Sequence, residues 1–257
     1  MKEPILQCQN VCFSYHNLTG ETSALTNISF QINKGEFVSV VGPSGCGKST
    51  LLSLIAGLNK PESGSIFLTN PENTKIGYML QQDHLLEWRT IYKNIMLGPE
   101  ISKTINPESE KQALTLLNDY GLSRFQDKKP GELSGGMKQR AALIRTMMLS
   151  PKLLLLDEPF SALDYQTRLM VSADIGRIIR SAGITTVLVT HDLSEAIALS
   201  DRILILSKRP ATIKKEIAVS LTLPDDSLLA ARNAPEFQYY FSILWKEISD
   251  EYGTDSL

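Results

Sequence analysis

Within VVGPSGCGKSTLLSLIAGL, residues 40–58, three glycines fall among the six positions 42–47 and are followed at once by a lysine and two hydroxyls. Gly42 to Ser49 satisfies the spacing G-x-x-x-x-G-K-[ST]. Glycines at those positions let a backbone turn its N–H groups inward around phosphate oxygens, with the start of a helix adding its partial positive charge. In such a loop Gly42, Pro43, Ser44, Gly45, Cys46 and Gly47 form the cradle. Lys48 reaches the terminal phosphates, Ser49 offers its hydroxyl to Mg2+, and Thr50 adds a hydrogen bond. The flanks suit this chemistry. GEFVSVVG before the loop is a nearly continuous apolar run, the mark of a strand buried on both faces. TLLSLIAGL after it reads as a helix whose Leu51, Leu54, Ile55 and Leu58 pack back on the sheet. A guanine-reading N-K-x-D motif is not met by NKPE at residues 59–62, which favours ATP.

Two acids follow a second apolar run in LLLLDEP. A strand end is where open α/β sheets bind ligands. There Asp157 suits a hold on Mg2+, and Glu158 suits a general base toward an attacking water. In ELSGGMKQR, residues 132–140, Ser134, Gly135 and Gly136 open a helix and make a second anion site.

These groups need a scaffold. The apolar runs GEFVSVVG, KLLLLDE, TTVLVTH and DRILILS alternate with helical patterns, which predicts a mostly parallel sheet covered on both faces. ILQCQNVCFSY and NISFQI read as early antiparallel strands. Between residues 82 and 150 the strand signal disappears. There NPESEKQALTLLNDYGL predicts a helix capped by Asn106, with Pro107 first, Gly121 past its end, and Leu114, Leu117 and Tyr120 as its apolar stripe. Ser134 caps the next helix. The last helix puts Phe237, Phe241, Leu244 and Ile248 on one face. The expected organisation is one domain. Residues 1–81 and 151–212 form its nucleotide-binding core, 82–150 a helical subdomain, and 213–257 a C-terminal helical tail.

Composition narrows the function. With 42% hydrophobic and 21% charged residues and a net charge of -2, the chain has the balance of a soluble globular protein and no bulk attraction to nucleic acid. No apolar run reaches the roughly 18 residues of a membrane span, and the first ten residues lack a signal-peptide core. The three cysteines predict no disulfide framework. Cys8, Cys12 and His16 recur every fourth residue, but without a fourth ligand nearby the reading is a half-buried strand rather than a metal site.

The segment L-S-G-G-x-x-Q-R, Leu133 to Arg140 with Gln139 as its glutamine, resembles the signature of the ATP-binding cassette (ABC) ATPases. The resemblance runs over almost the whole chain. It implies a P-loop NTPase (RecA-like) core with an N-terminal antiparallel β subdomain and an inserted α-helical subdomain. By that likeness Tyr15 stacks on adenine, and Gln81 senses Mg2+ and the attacking water, with its neighbour Gln82 as the competitor for that role. Asp164 in SALD signals across a dimer, and His191 contacts the γ-phosphate. The signature, Ser134, Gly135, Gly136 and Gln139, closes on the ATP of a second copy, so two ATPs are sandwiched head to tail.

The stretch QQDHLLEWRTIYKNI resembles the LLPWRT segment of importer ATPases for nitrate, sulfonates, taurine and pyrimidine-type solutes, with Glu87 in place of the proline. This implies a peripheral subunit on the cytoplasmic face of the membrane. Its partners are a second copy or a close paralogue, a permease docking near Leu85, Leu86 and Trp88, and indirectly an extracytoplasmic solute-binding protein. An export or lipid-extraction ATPase is the alternative, and an iron–sulfur assembly ATPase the more distant one.

Overall fold

The computed structural model describes residues 3–17, 20–223 and 228–252. Its strands are Pro4–Asn17 (β1), Gly20–Asn33 (β2), Phe37–Val41 (β3), Ser63–Leu68 (β4), Ile76–Met79 (β5), Leu153–Asp157 (β6), Thr185–Val189 (β7), Arg202–Leu206 (β8) and Ile213–Ala218 (β9). Its helices are Lys48–Ile55 (α1), Ile91–Ile95 (α2), Leu97–Ile101 (α3), Pro107–Asp119 (α4), Gly135–Met147 (α5), Tyr165–Ser181 (α6), Leu193–Leu199 (α7), Leu228–Asn233 (α8) and Phe237–Tyr252 (α9).

A six-stranded sheet runs β5-β6-β7-β3-β8-β9, parallel except where β9 returns antiparallel to β8. Every residue of β3, β6 and β7 is buried, which is why these strands read as unbroken apolar runs. The pleat sends alternate side chains to opposite faces. Leu154 and Leu156 join the core under α4 and α5 with Leu117 and Leu143, while Leu153 and Leu155 join the core on the other face with Leu51 and Leu25. A second, antiparallel sheet of order β2-β1-β4 rests on that second core. It is tied to the main sheet where Thr26 N donates to Ala211 O (2.9 Å) and Ala211 N to Ala24 O (2.9 Å).

Residues 82–150 carry α2 to α5 and, among the described residues, no strand. Asn106 does cap α4: its side chain accepts from Ser109 N (2.8 Å), and Ser109 Oγ accepts from Asn106 N (3.0 Å).

Several expectations need correction. Leu58 lies past the end of α1 and is exposed, because the helix stops at Ile55. Leu114 faces solvent, and the buried stripe of α4 is Ala113 and Leu117, with Tyr120 closing it. The tail is not wholly helical, since β9 belongs to the sheet. Its polar-rich IKKEIA gives no apolar run because a sheet-edge strand buries little. β4 and β5 are further strands that no apolar run marks in the sequence. The first two and last five residues of the expected ranges lie outside the described residues. The strand expected at Cys8, Cys12 and His16 is there as β1, but register shifts break its alternation and leave Cys8 buried, Cys12 half-buried and His16 exposed. His16 Nε2 instead meets Glu62 Oε1 at 2.6 Å.

Candidate active site

Three neighbouring parallel strands deliver the chemistry to one edge of the sheet, as open α/β sheets do. β3 ends in the glycine loop, β6 ends in Asp157 and Glu158, and β7 runs through Thr190 to His191. Gln81 follows β5 beside them.

Lys48 folds back into the loop and is buried, its Nζ donating to the carbonyls of Gly42 and Pro43 at 2.9 Å each. The loop therefore holds its lysine in place through its own backbone carbonyls. Gly47 takes φ 121°, and a Cβ there would stand 2.9 Å from Leu25 Cδ2 and 3.2 Å from Ala24 O. Only glycine fits between the loop and β2. Cys46 turns its thiol into the core, where burial pushes the pKa up despite nearby Lys48. What it offers the loop is backbone, and its N–H donates to Pro43 O at 3.3 Å. Ser44 lines the cavity below. Thr50 Oγ1 shares a 2.9 Å hydrogen bond with the hydroxyl of half-exposed Tyr15, so the aromatic and the loop meet.

Ser49 Oγ donates to Asp157 Oδ1 at 2.9 Å. Asp157 is buried, and desolvation raises its pKa; the Ser49 bond opposes that and the Glu158 charge adds to it. Tyr78, which sequence reasoning missed, donates to Asp157 Oδ2 at 3.4 Å. Glu158 sits at φ 45°, in the left-handed region that costs a non-glycine residue about 1–2 kcal/mol. Its amide donates to Val189 O (2.9 Å) and its carbonyl accepts from Ser161 Oγ (3.0 Å). Held so, Glu158 Oε2 receives Gln81 Nε2 at 3.3 Å and lies 3.1 Å from His191 Nδ1. Gln82 lines the same cleft, but Gln81 is the one that reaches the carboxylate. Glu158 and His191 form the ridge between two cavities. One, of about 660 Å³, runs over Gly42 and Lys48; the other, of about 720 Å³, runs past Gln81 and Gln139.

The structure does not bring every candidate here. Ser134 caps α5, accepting from Met137 N at 3.4 Å, and with Gly135 is exposed and lines neither cavity. Gly136 is buried; a Cβ there would stand 2.8 Å from Thr167 Cγ2, so it also sets the α5–α6 contact. Gln139 is 3% exposed in the Gln81 cleft, its Oε1 unpaired. Asp164 caps α6 by accepting from Thr167 N (3.1 Å), which holds its carboxyl below the usual range. Leu85 is buried in the core rather than lining a groove, and Leu86 is half-buried. Trp88 is 74% exposed beside a groove with Tyr92, Met96 and Ile105. Two more residues escaped sequence reasoning because no local pattern marks them. Arg209 donates to Gly45 O at 2.6 Å, and Trp245 of α9 lines the cavity over the loop.

Comparison with known proteins identifies the family. Residues 25–161 match the family described as ABC transporter. An uncharacterised ABC transporter ATP-binding protein of Bacillus subtilis, YtlC, is 46% identical over 248 residues, covering 95% of each chain. The nitrate transport protein NasD of Klebsiella oxytoca is 39% identical over 233 residues, covering 86% of this chain and 87% of its own. Among solved structures, a dimeric post-hydrolysis state of the ATP-binding cassette MJ0796 bound to ADP and phosphate superposes with a TM-score of 0.72 at 34% identity, over 84% of this chain and 99% of that one. The chain belongs to the ABC transporter family, as one of its ATPase cassettes.

Proposed function

We propose that this chain is the MgATP-hydrolysing subunit of an ABC importer, working as a head-to-tail dimer under a separate membrane permease for a small solute of the nitrate, sulfonate, taurine or pyrimidine type. The observation that carries the catalytic part is the shared carboxylate oxygen of Glu158, met by Gln81 and His191 beside the glycine loop. Glu158 takes a proton from a water as that water attacks the γ-phosphorus, the bond to the bridging oxygen breaks, and ADP and phosphate result. His191 and Gln81 orient the carboxylate and the water. Lys48 and the loop amides hold the phosphates, and Tyr15 supports the adenine.

The Ser49 hydroxyl and Asp157 carboxylate, 2.9 Å apart, are a hard oxygen pair of the kind Mg2+ prefers, and these residues with Gln81 would hold it. Bound there, Mg2+ neutralises charge on the terminal phosphates. Ser134, Gly135, Gly136, Gln139 and Asp164 serve the second copy's nucleotide.

The importer part is supported by relatives named for nitrate import and aliphatic sulfonate import, beside one named for nitrate transport. It is also supported by the exposed Trp88 at a groove able to seat a short permease helix. No helix among the described residues is long and apolar enough to cross a membrane, so the permease is a separate chain in this reading. The test is to extract a Glu158→Gln form from native membranes in mild detergent with ATP and identify co-purifying chains by mass spectrometry. A multi-spanning permease with an external solute-binding protein is expected. Recovery of soluble partners alone would sink the transport reading.

A further inference from the structure

The cavity of about 660 Å³ over the glycine loop is built by more than the phosphate machinery. Gly42, Lys48, Glu158 and His191 form one side, and Trp245 and Ile248 of α9 form the other. Trp245 is 61% exposed, so the core of α9, Phe237 and Leu244, does not need it. Its ring stacks on Phe241, with centroids 6.3 Å apart and planes 9° from parallel, which fixes it at the cavity edge.

The helix is also bracketed to the loop. Lys214 Nζ meets Glu247 (3.3 Å) and Glu251 (3.1 Å), and Lys215 Nζ meets Glu247 (2.9 Å), which anchors α9 along β9. The corner between β8 and β9 then reaches both ways. Lys208 N donates to Glu251 Oε2 at 2.9 Å, and the next residue, Arg209, donates to Gly45 O at 2.6 Å. One short turn thus grips the C-terminal helix and the phosphate loop together.

We propose that α9 is part of the nucleotide site: Trp245 walls the terminal-phosphate side of the cavity in its own chain and contacts the bound nucleoside triphosphate. This rests on the ATP site assigned above. A flat, amphipathic indole with one N–H donor suits a wall that is apolar on one side and faces phosphate on the other.

The chain has two tryptophans, so Trp88→Phe leaves Trp245 as the sole reporter. Its emission is followed as MgATP is added to that Trp88→Phe protein, with binding measured separately by equilibrium dialysis of labelled ATP. Emission should change in proportion to occupancy, respond less to MgADP, and stay flat in the added Lys48→Ala variant. Trp245→Ala in the otherwise unaltered chain should weaken MgATP binding by about threefold or more and MgADP binding less. ATP bound by dialysis with unchanged emission overturns the proposal and leaves the ATP site standing. No ATP bound at all removes both. A signal that grows with protein concentration at fixed occupancy puts a second copy against Trp245, and overturns the assignment as well.

Discussion

Glu158 meets Gln81 Nε2 and His191 Nδ1 through the same oxygen, while its backbone is held in the left-handed region. Glutamine in its place keeps the shape and most hydrogen bonds but cannot take a proton. Glu158→Gln should bind MgATP within about twofold of the parent and release phosphate at least about 100-fold more slowly. Near-parental release in a malachite-green assay would remove Glu158 from the base role.

A second carboxyl makes a pH prediction. Glu195 is 5% exposed, and burial pushes its pKa up to about 7. Its Oε2 accepts from Thr190 Oγ1 at 2.7 Å, and Thr190 precedes His191. Asp192 raises it further, whereas Arg168 and Arg232 oppose the rise. A carboxyl that holds its proton more tightly when folded favours folding below the unfolded pKa. That advantage is lost as pH rises through the folded value. Glu195→Gln removes the titration. Relative to the parent, its stability should gain on the order of 2 kcal/mol between about pH 5 and about pH 8. Urea melts giving the same difference at both pH values would contradict this.

At the scale of elements, what was legible is what the chain encodes locally. The strand–loop–helix around Lys48, the acids ending β6 and the His191 that follows β7 each sit in a contiguous run whose pattern needs no distant partner. The cap of α4 is local too, and Asn106→Ala should cost about 1 kcal/mol, read as a lower urea midpoint with an unchanged slope. Illegible features depend on tertiary neighbours. Leu114 and Leu117 lie on the same helix, and only the placement of α5 and α2 decides that Leu117 is the buried one. Gln81 and Gln82 differ by one step along the chain, and the approach of β6 gives Gln81 the carboxylate. β9 is too polar to announce itself, and Trp245 reaches the cavity only after α9 has docked.

At the scale of the molecule, Ser134 and Gly135 stay exposed and away from both cavities of their own chain, which leaves them free for a second copy. The Glu158→Gln protein should therefore elute as a dimer with MgATP and as a monomer without it. A monomer under both conditions by light scattering would count against the sandwich. The strand order carries a further consequence, in time. β3 bears the phosphate loop yet, among the described residues, pairs only with β7 and β8; beside it, Gly35 N donates to Thr185 Oγ1, 150 residues further along the chain. A ribosome adding 5–20 residues per second leaves that largely apolar strand, FVSVV, unpartnered for roughly 7 to 30 seconds. Throughout that interval the nascent chain can neither complete a nucleotide site nor cover both edges of β3. Shielding by a chaperone, rather than early capture of ATP, is what this topology asks of the cell that makes it.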